Sequence, residues 1–582
     1  MPETHAEPAR EVSSKRLTVA ASLLVACVAL WVLAGAFYSG DIGKTRDDYT
    51  WAVNDPATGA VAVGDLWRLP LFWRPISLIL VRHLVSLTWD APWIANLLSA
   101  ASHGVLAFGV WRWLRGLGFV LGAGAAALVF LTLPMAYDVM HWPAAMPTAL
   151  AGVCALGVLA LAMALPTSDR KATSIAAIAL LTFVACCLNE QATACMGAAI
   201  VLPMATSATL RRRLIAMAAA TLAIGLPALS YVLLVVLSAP GQHRGGASTL
   251  VLPERWIPRG MAAFEGTWSQ LLGPHGRDLT LGGVEVGLAH MGAAGVALLL
   301  VAAGFGLAWA WRAKGPVKPE RSSLSMPWLA AFGFAWFVLG LVPFIVVQTG
   351  PIEARHVYLP VFGLLLVTIA TCRGIGRVVP TRLARGLGSA LASIAVSWSC
   401  VAAIALVGIQ TTLRDRSEFD MAEAAAIAEL YPNPEPGSVL VIARAAWREA
   451  DTGRTHYDHR FWSAWQMDHM ATAVLRHQYH RDDIYAKHRF SIAFGAPASE
   501  FSARGWTVEL SDGPAWDGGK LPPDLIEWDR LLVLRIEDDG SVVPIDRLGL
   551  ITNGQPAEVV PLPAVRIRDL EPAPTRFDIK LR

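Results

Sequence analysis

The sequence predicts a polytopic α-helical membrane domain followed by an extracytoplasmic α/β domain, and three observations carry that prediction. The chain of 582 residues is 54% hydrophobic and only 16% charged, with a mean hydropathy of +0.47. A soluble protein of that size needs more charge to cover its surface. Its apolar residues also gather in runs long enough to cross about 30 Å of hydrocarbon. After Gln410 the composition turns abruptly charged and proline-rich.

The apolar runs occupy residues 17–39, 92–111, 118–137, 144–165, 173–188, 191–206, 214–238, 287–311, 327–347, 357–372 and 387–410. That gives about 11 transmembrane helices. The first run follows Arg10, Lys15 and Arg16 and ends near an "LAGA" that resembles a signal-peptidase site. It is longer than a signal-peptide core, so an uncleaved anchor behind a cytoplasmic N-terminus, residues 1–16, is expected. The segment Arg74 to Trp89 is shorter and carries Arg82 and His83. If it does not span, the basic loops at Arg112/Arg115, Arg170/Lys171, Arg211 to Arg213, Arg312 to Arg321 and Arg373 to Arg385 fall on the side of the N-terminus. That is the positive-inside pattern, so the segment reads as an interfacial helix.

The expected organisation is then a membrane domain over 17–410, with a first outer loop over 40–91 that contains the interfacial helix and a long outer loop over 239–286. Residues 411–582 form the extracytoplasmic domain. In it "GSVLVIAR", "WTVEL", "RLLVLRI" and "SVVPI" read as strands, and Phe461 to His480 as a helix. The expected setting is a multi-pass cell membrane, with a bacterial inner membrane as the expectation. A formal net charge of +3 is near neutral for this length and gives no case for a nucleic-acid partner. The seven cysteines, Cys27, Cys154, Cys186, Cys187, Cys195, Cys372 and Cys400, all lie in apolar runs, so no disulfide framework is implied.

On this topology the unusual polar groups share the outer face. Asp47, Asp48, Asn54 and Asp55 lie in the first outer loop, and Tyr137, Asp138, His141 and Trp142 at the next outer turn. Asn189, Glu190 and Gln191 interrupt two short helices in "CLNEQAT", while Glu353, Arg355, His356 and Tyr358 fill "IEARHVYLP". Ionisable residues beside a bilayer are rare unless they pair or act, so their convergence points to a polar cavity opening outward. Each group also has a plainer reading. Asp47 and Asp48 fit solvated loop acids or an N-cap, Asp138 and His141 a loop pair, Glu190 a buried hydrogen-bond hub, and Arg355 an interfacial snorkeller.

The order of the motifs resembles a known family. The "DD" of loop one, "AVND", "WRP", "PWIANLLSAASH", "ALVFLTLPMAYDVMHWPAAM", "CLNEQAT" and "EARHVYLPVFG" follow one another as in the membrane half of the tetratricopeptide-repeat transmembrane O-mannosyltransferases. These belong to the GT-C class of polyprenyl-phosphate-sugar glycosyltransferases, and the likeness covers roughly residues 17–372. The chain departs from the family pattern at Asn96 and Ser99, where members carry histidine and asparagine, although His103 fits. Asn189 replaces the lysine of "KEQ", with Glu190 and Gln191 retained. The repeats are absent.

The resemblance implies a GT-C-like fold and an inverting transfer of a sugar, a hexose of the mannose kind, from a polyprenyl-phosphate carrier to an extracytoplasmic protein or envelope glycan. It therefore implies three partners, the lipid-linked donor, the acceptor and the bilayer, with the lipid-linked sugar as co-substrate. A donor whose lipid stays in the bilayer must react at the outer boundary, so a catalytic carboxylate belongs at the mouth of a membrane helix. Asp47 is expected as general base, a role that contributes about 10² to 10⁴ in rate, and Asp48 as its orienter or a sugar ligand. Arg355, and with it Arg74, are the candidates for the donor phosphate, because the guanidinium fork holds two phosphate oxygens. Asp138, His141, Glu190, Gln191, His103 and Tyr358 are expected to line the sugar or acceptor site. A divalent metal on Asp47, Asp48 and Asp138 stays open, since no ligand spacing demands one.

In the tail, His477 and His480 share a helix face with His456, His459 and His469 nearby in sequence, but without cysteine they read as a solvated face and not as a zinc site. Trp462 and Trp465 read as core or membrane contacts before sugar platforms. Two rival functions remain. A ligase or polymerase using a lipid-linked oligosaccharide would need the same arginines, while a transporter or scaffold should show inverted repeats and midplane charge, neither of which the sequence contains.

Overall fold

The computed structural model describes residues 74–88, 91–206, 208–238, 252–312, 325–346, 352–444, 468–479, 481 and 484–488, with strand segments at 501–504, 507–510, 525–527, 531–536, 541–544, 547–552 and 555–561. The expected anchor at 17–39, the loop with Asp47 and Asp48, and the tail residues His456, His459, Trp462 and Trp465 lie outside the described residues. The chain divides into two units. Of the described residues, the first unit takes in 74–81 and those from 93 to 411, the second those from 82 to 92 and from 412 onward.

The first unit is helical. It begins with the first part of α1 (Pro75–Leu87) and with α2 (Pro92–Gly116), continues through α3 (Val120–Leu131), α4 (Tyr137–His141), α5 (Met146–Ala164), α6 (Lys171–Leu188), α7 (Glu190–Met196) and α8 (Leu210–Ser238), and closes with α9 (Trp256–Leu271), α10 (Pro274–Arg312), α11 (Met326–Val346), α12 (Ala354–Val378) and the part of α13 (Thr381–Leu430) that precedes Thr412. Among the described residues seven helices are long and apolar enough to cross a membrane, or eight if one bent pair counts as a span. The protein thus has the helices of a multi-pass membrane protein. Two of them carry exposed apolar stripes at helical spacing: Leu222, Leu226, Leu229 and Leu233 on α8, and Leu387, Leu391, Ile394, Trp398 and Val401 on α13. Such stripes suit contact with acyl chains and would be a liability in water.

Breaks in the helices have local causes. The bent pair turns by 53° between Leu131 and Pro134, because proline cannot donate a helical hydrogen bond and pushes Leu133 out of helical geometry, to ψ 116°. Asn189 sits extended at φ −161°, ψ 114° and caps α7. The run expected at 191–206 becomes the seven residues of α7 followed by a nine-residue 3-10 helix, Gly197–Ala205. A 3-10 helix rises about 2.0 Å per residue against 1.5 Å in an α-helix, so this short piece still extends about 28 Å. At 13 residues, α1 reaches only about 20 Å, short of the hydrocarbon thickness.

The segment assigned to the long loop is itself helical from Pro253 onward. Helix α10 starts within it and is kinked at Gly292, whose φ of 63° favours glycine. Two helix pairs approach closely enough that only glycine fits. A Cβ on Gly363 of α12 would stand 2.4 Å from the Gly333 carbonyl of α11, and one on Gly408 of α13 would stand 1.9 Å from the Gly283 carbonyl of α10. Around the first contact lies the aromatic core. Trp336 meets Phe362 edge-on at 5.3 Å and donates its indole N–H to the Leu359 carbonyl at 2.9 Å.

The second unit contains a four-stranded sheet in the order β2-β1-β6-β7, formed by β1 (Val439–Arg444), β2 (Tyr485–His488), β6 (Leu531–Ile536) and β7 (Val542–Pro544). Strands β2 and β6 run parallel to β1, and β7 runs antiparallel to β6. The run Val439 to Ile442 is buried at every position, as expected of a parallel strand covered on both faces. Helix α14 (Asp468–Tyr479) forms the crossover from β1 to β2. Its Ala471, Val474 and Leu475 join Ala424 and Ile427 from the end of α13 against the sheet. A three-stranded antiparallel sheet, β3 (Phe501–Arg504), β4 (Thr507–Leu510) and β5 (Leu525–Glu527), and a β8–β9 hairpin (Arg547–Thr552, Gln555–Pro561) complete the described strands.

Candidate functional site

The break at Asn189 positions the first part of the site. Its side-chain oxygen accepts from the Gln191 backbone N–H at 2.9 Å, and its amide donates to Thr148 Oγ at 2.9 Å. That fixes Glu190 as the first residue of α7. Arg74, immediately ahead of Pro75 at the start of α1, meets it side-on: Nε donates to Glu190 Oε2 at 2.5 Å, and Nη2 donates to Oε1. The two side chains keep 30% and 41% of their surface. Burial disfavours the Arg74 charge, but the Glu190 carboxylate more than restores it and holds the guanidinium pKa above its ordinary value.

Gln191 ties this pair to α12. Its amide donates to the Gly340 carbonyl at 2.9 Å and to the His356 carbonyl at 2.5 Å. The start of α7 therefore lies against the start of α12. There Glu353 is the N-cap, closing a capping box in which its carboxylate accepts from the His356 backbone N–H and its own N–H donates to His356 Nδ1 at 3.1 Å. Arg355 pairs with Glu353 through Nη2 and Oε2 at 2.9 Å, and its guanidinium lies over the Trp142 ring at 4.6 Å. Both the Arg355 and the Arg74 charges act on the His356 ring. Two arginine forks, each facing a glutamate, thus collect at one end of the helical unit.

The turn "YDVMHW" reaches the same region through Trp142. All five residues of α4 are buried, Asp138 to 3% and His141 to 2% exposure. His141 Nε2 accepts from the Gln410 amide at 2.9 Å, and among the described residues its Nδ1 has no hydrogen-bond partner. Gln410 belongs to α13 and serves in the sequence only as the end of an apolar run. Nothing in its spacing marks it, since its partner lies 269 positions away.

His103 and Tyr358 form a separate closed contact. The Tyr358 hydroxyl and His103 Nδ1 are 2.6 Å apart, and the opposite ring nitrogen is 2.9 Å from the Leu131 carbonyl. A carbonyl only accepts, so Nε2 carries the proton and Tyr358 donates to Nδ1. Both residues are fully buried and pack about Phe130, His103 stacked on its ring and Tyr358 tilted against it. Their polar atoms, like the Gln191 amide, are engaged within the protein. The structure therefore brings together Arg74, Glu190, Gln191 and Arg355, attaches Asp138 and His141 through Trp142, and places His103 and Tyr358 in the packed interior. Asp47 and Asp48 lie outside the described residues. Among the described residues no three His, Cys, Asp or Glu side chains gather as a metal site would require.

No protein-family model matches the chain, and no curated protein matches it. Among solved structures, the crystal structure of ArnT from Cupriavidus metallidurans bound to undecaprenyl phosphate is similar over 80% of this chain and 89% of that one, at 16% identity and a TM-score of 0.41.

Proposed function

We propose that the protein is an inverting glycosyltransferase of the GT-C kind, which moves a hexose from a polyprenyl-phosphate carrier to an extracytoplasmic protein or envelope glycan. One observation carries the reading. Arg74 and Arg355 converge at one end of a bundle of apolar helices, part-exposed and each already facing a carboxylate. Anion-sized forks at the end of membrane helices suit a phosphate whose lipid tail stays in the bilayer. A transporter would be expected to place its charges near the bilayer midplane; here they stand at helix starts.

In the proposed reaction an acceptor hydroxyl attacks the anomeric carbon from the face opposite the phosphate. The bond from that carbon to the phosphate oxygen breaks, and its electron pair leaves with the phosphate. The hydroxyl proton passes to Asp47, oriented by Asp48, and the sugar inverts. Arg74 and Arg355 stabilise the charge that grows on the departing phosphate. Asp138 and His141, in the buried turn that carries Trp142, are assigned to the sugar or acceptor site on the family resemblance. A divalent metal beside the acidic pair is compatible with this scheme and supplies no step in it.

The test is the purified full chain in lipid nanodiscs with a labelled polyprenyl-phosphate hexose and an envelope fraction as acceptor. Transfer of one labelled hexose is expected. Mass spectrometry of envelope glycans with and without the gene gives the cellular counterpart, and loss of a whole polymer in place of a single hexose would show a ligase and overturn the reading.

A further inference from the structure

The Arg74–Glu190 pair raises a question that transfer alone does not answer, namely why a phosphate-binding arginine should already be occupied by an acid. The donor is a phosphodiester with one negative charge. The spent carrier is a phosphomonoester, which carries about −1.5 to −2 near neutral pH. Two arginines that hold the donor therefore hold the product harder, and product retention would throttle turnover.

We propose that Glu190 is a displaceable counter-ion that competes with the spent polyprenyl phosphate for Arg74 and so drives its release. This rests on the donor-phosphate reading above. The geometry suits an exchange. Glu190 takes the Nε and Nη2 positions of the guanidinium side-on, the same pair of N–H groups that two phosphate oxygens would take. The pair keeps 30% and 41% of its side-chain surface, so it is not sealed inside the helical packing. The backbone that carries Glu190 is held on both sides, by the Asn189 cap and by the two carbonyl contacts of Gln191. Only the glutamate side chain has to swing, and it returns from a fixed origin. Glu353 is in addition the N-cap of α12, so its departure would uncap that helix.

The experiment measures binding of polyprenyl phosphate to the full chain in nanodiscs, together with its inhibition of hexose transfer. Glu190→Gln keeps the shape and removes the competing charge. It should tighten polyprenyl phosphate binding on the order of tenfold and lower kcat through slow product release, so that steady-state turnover falls more than the single-turnover rate. Glu190→Asp draws the carboxylate back by one methylene and should tighten binding by less. It also carries the test if Glu190→Gln fails to fold by melting temperature and size exclusion. Unchanged or weaker polyprenyl phosphate binding in the folded glutamate variant would overturn the exchange. Arg74→Gln and Arg355→Gln separate the two levels. If both leave polyprenyl phosphate binding and donor KM unchanged, the donor-phosphate reading fails and the exchange with it. If they weaken binding while the glutamate variants do not strengthen it, the exchange alone fails.

Discussion

Arg355 gives the sharpest division between a donor ligand and a structural cation. In the structure its guanidinium pairs with Glu353 at 2.9 Å, makes a long 3.4 Å contact from Nε to His356 Nε2, and lies over Trp142 at 4.6 Å. The side chain is 29% exposed, so the ion pair contributes about 0–1 kcal/mol to folding after solvent screening, and the ring contact about 0.5–1 kcal/mol. Arg355→Ala should therefore cost about 1–2 kcal/mol of stability at most. If the fork binds the donor phosphate, the same change removes charge-assisted hydrogen bonds worth about 2–3 kcal/mol, which is roughly 30- to 160-fold in kcat/KM for the donor. Arg355→Lys keeps the charge but not the planar two-point contact and should fall between wild type and alanine. Steady-state kinetics with donor and acceptor varied separately, beside a melting curve in detergent, decide the matter. A loss confined to acceptor KM, or a drop in melting temperature with donor kinetics intact, would refute the phosphate role.

Three further outcomes are expected. Asp47→Asn should abolish transfer while leaving polyprenyl phosphate binding within a few fold, and if Asp48→Asn proves the dead variant the two roles exchange. With an interfacial α1, a cysteine placed at Asp90 should react with an impermeant probe from outside the cell, and labelling from the cytoplasm alone would mean that the segment spans. Gly408→Ala must displace the Gly283 carbonyl 1.9 Å away and should lower stability by about 1–3 kcal/mol. Gly104→Ala, with no atom within 4 Å of the added Cβ, should not, as thermal unfolding in detergent would show.

The fold was legible where composition and length decide it. Runs such as 327–347 and 357–372 correspond to α11 and α12 because an unbroken apolar stretch has few other ways to satisfy its backbone in a bilayer. "GSVLVIAR" and "RLLVLRI" gave β1 and β6 because consecutive apolar residues bounded by charge suit a strand buried on both faces. What did not show was geometry set by single residues in context. Hydropathy cannot tell an α-helix from the 3-10 helix at Gly197–Ala205, nor place the kink at Gly292 inside α10. The segment from Pro253 to Leu271 looked like loop because Arg255, Arg259 and Glu265 interrupt it, yet it forms a helix that keeps Thr267 and Gln270 inward and Ile257, Met261, Phe264 and Trp268 outward.

The site shows the same division for a different reason. Polar residues at helix ends stand out in an apolar sequence, so Glu190 and Arg355 draw attention by position, and Arg74 joins them through the resemblance. Their pairing does not show, because Arg74 and Glu190 are 116 positions apart and His141 and Gln410 269 apart, and no local pattern encodes such a contact. Nor does position tell which polar atoms remain open to a ligand. Gln191 and His103 look as eligible in sequence as Glu190, but the first spends its amide on two carbonyls and the second both ring nitrogens on Tyr358 and Leu131. Their substitution should register first in stability, whereas a change at the part-exposed Arg74–Glu190 pair should register first in binding.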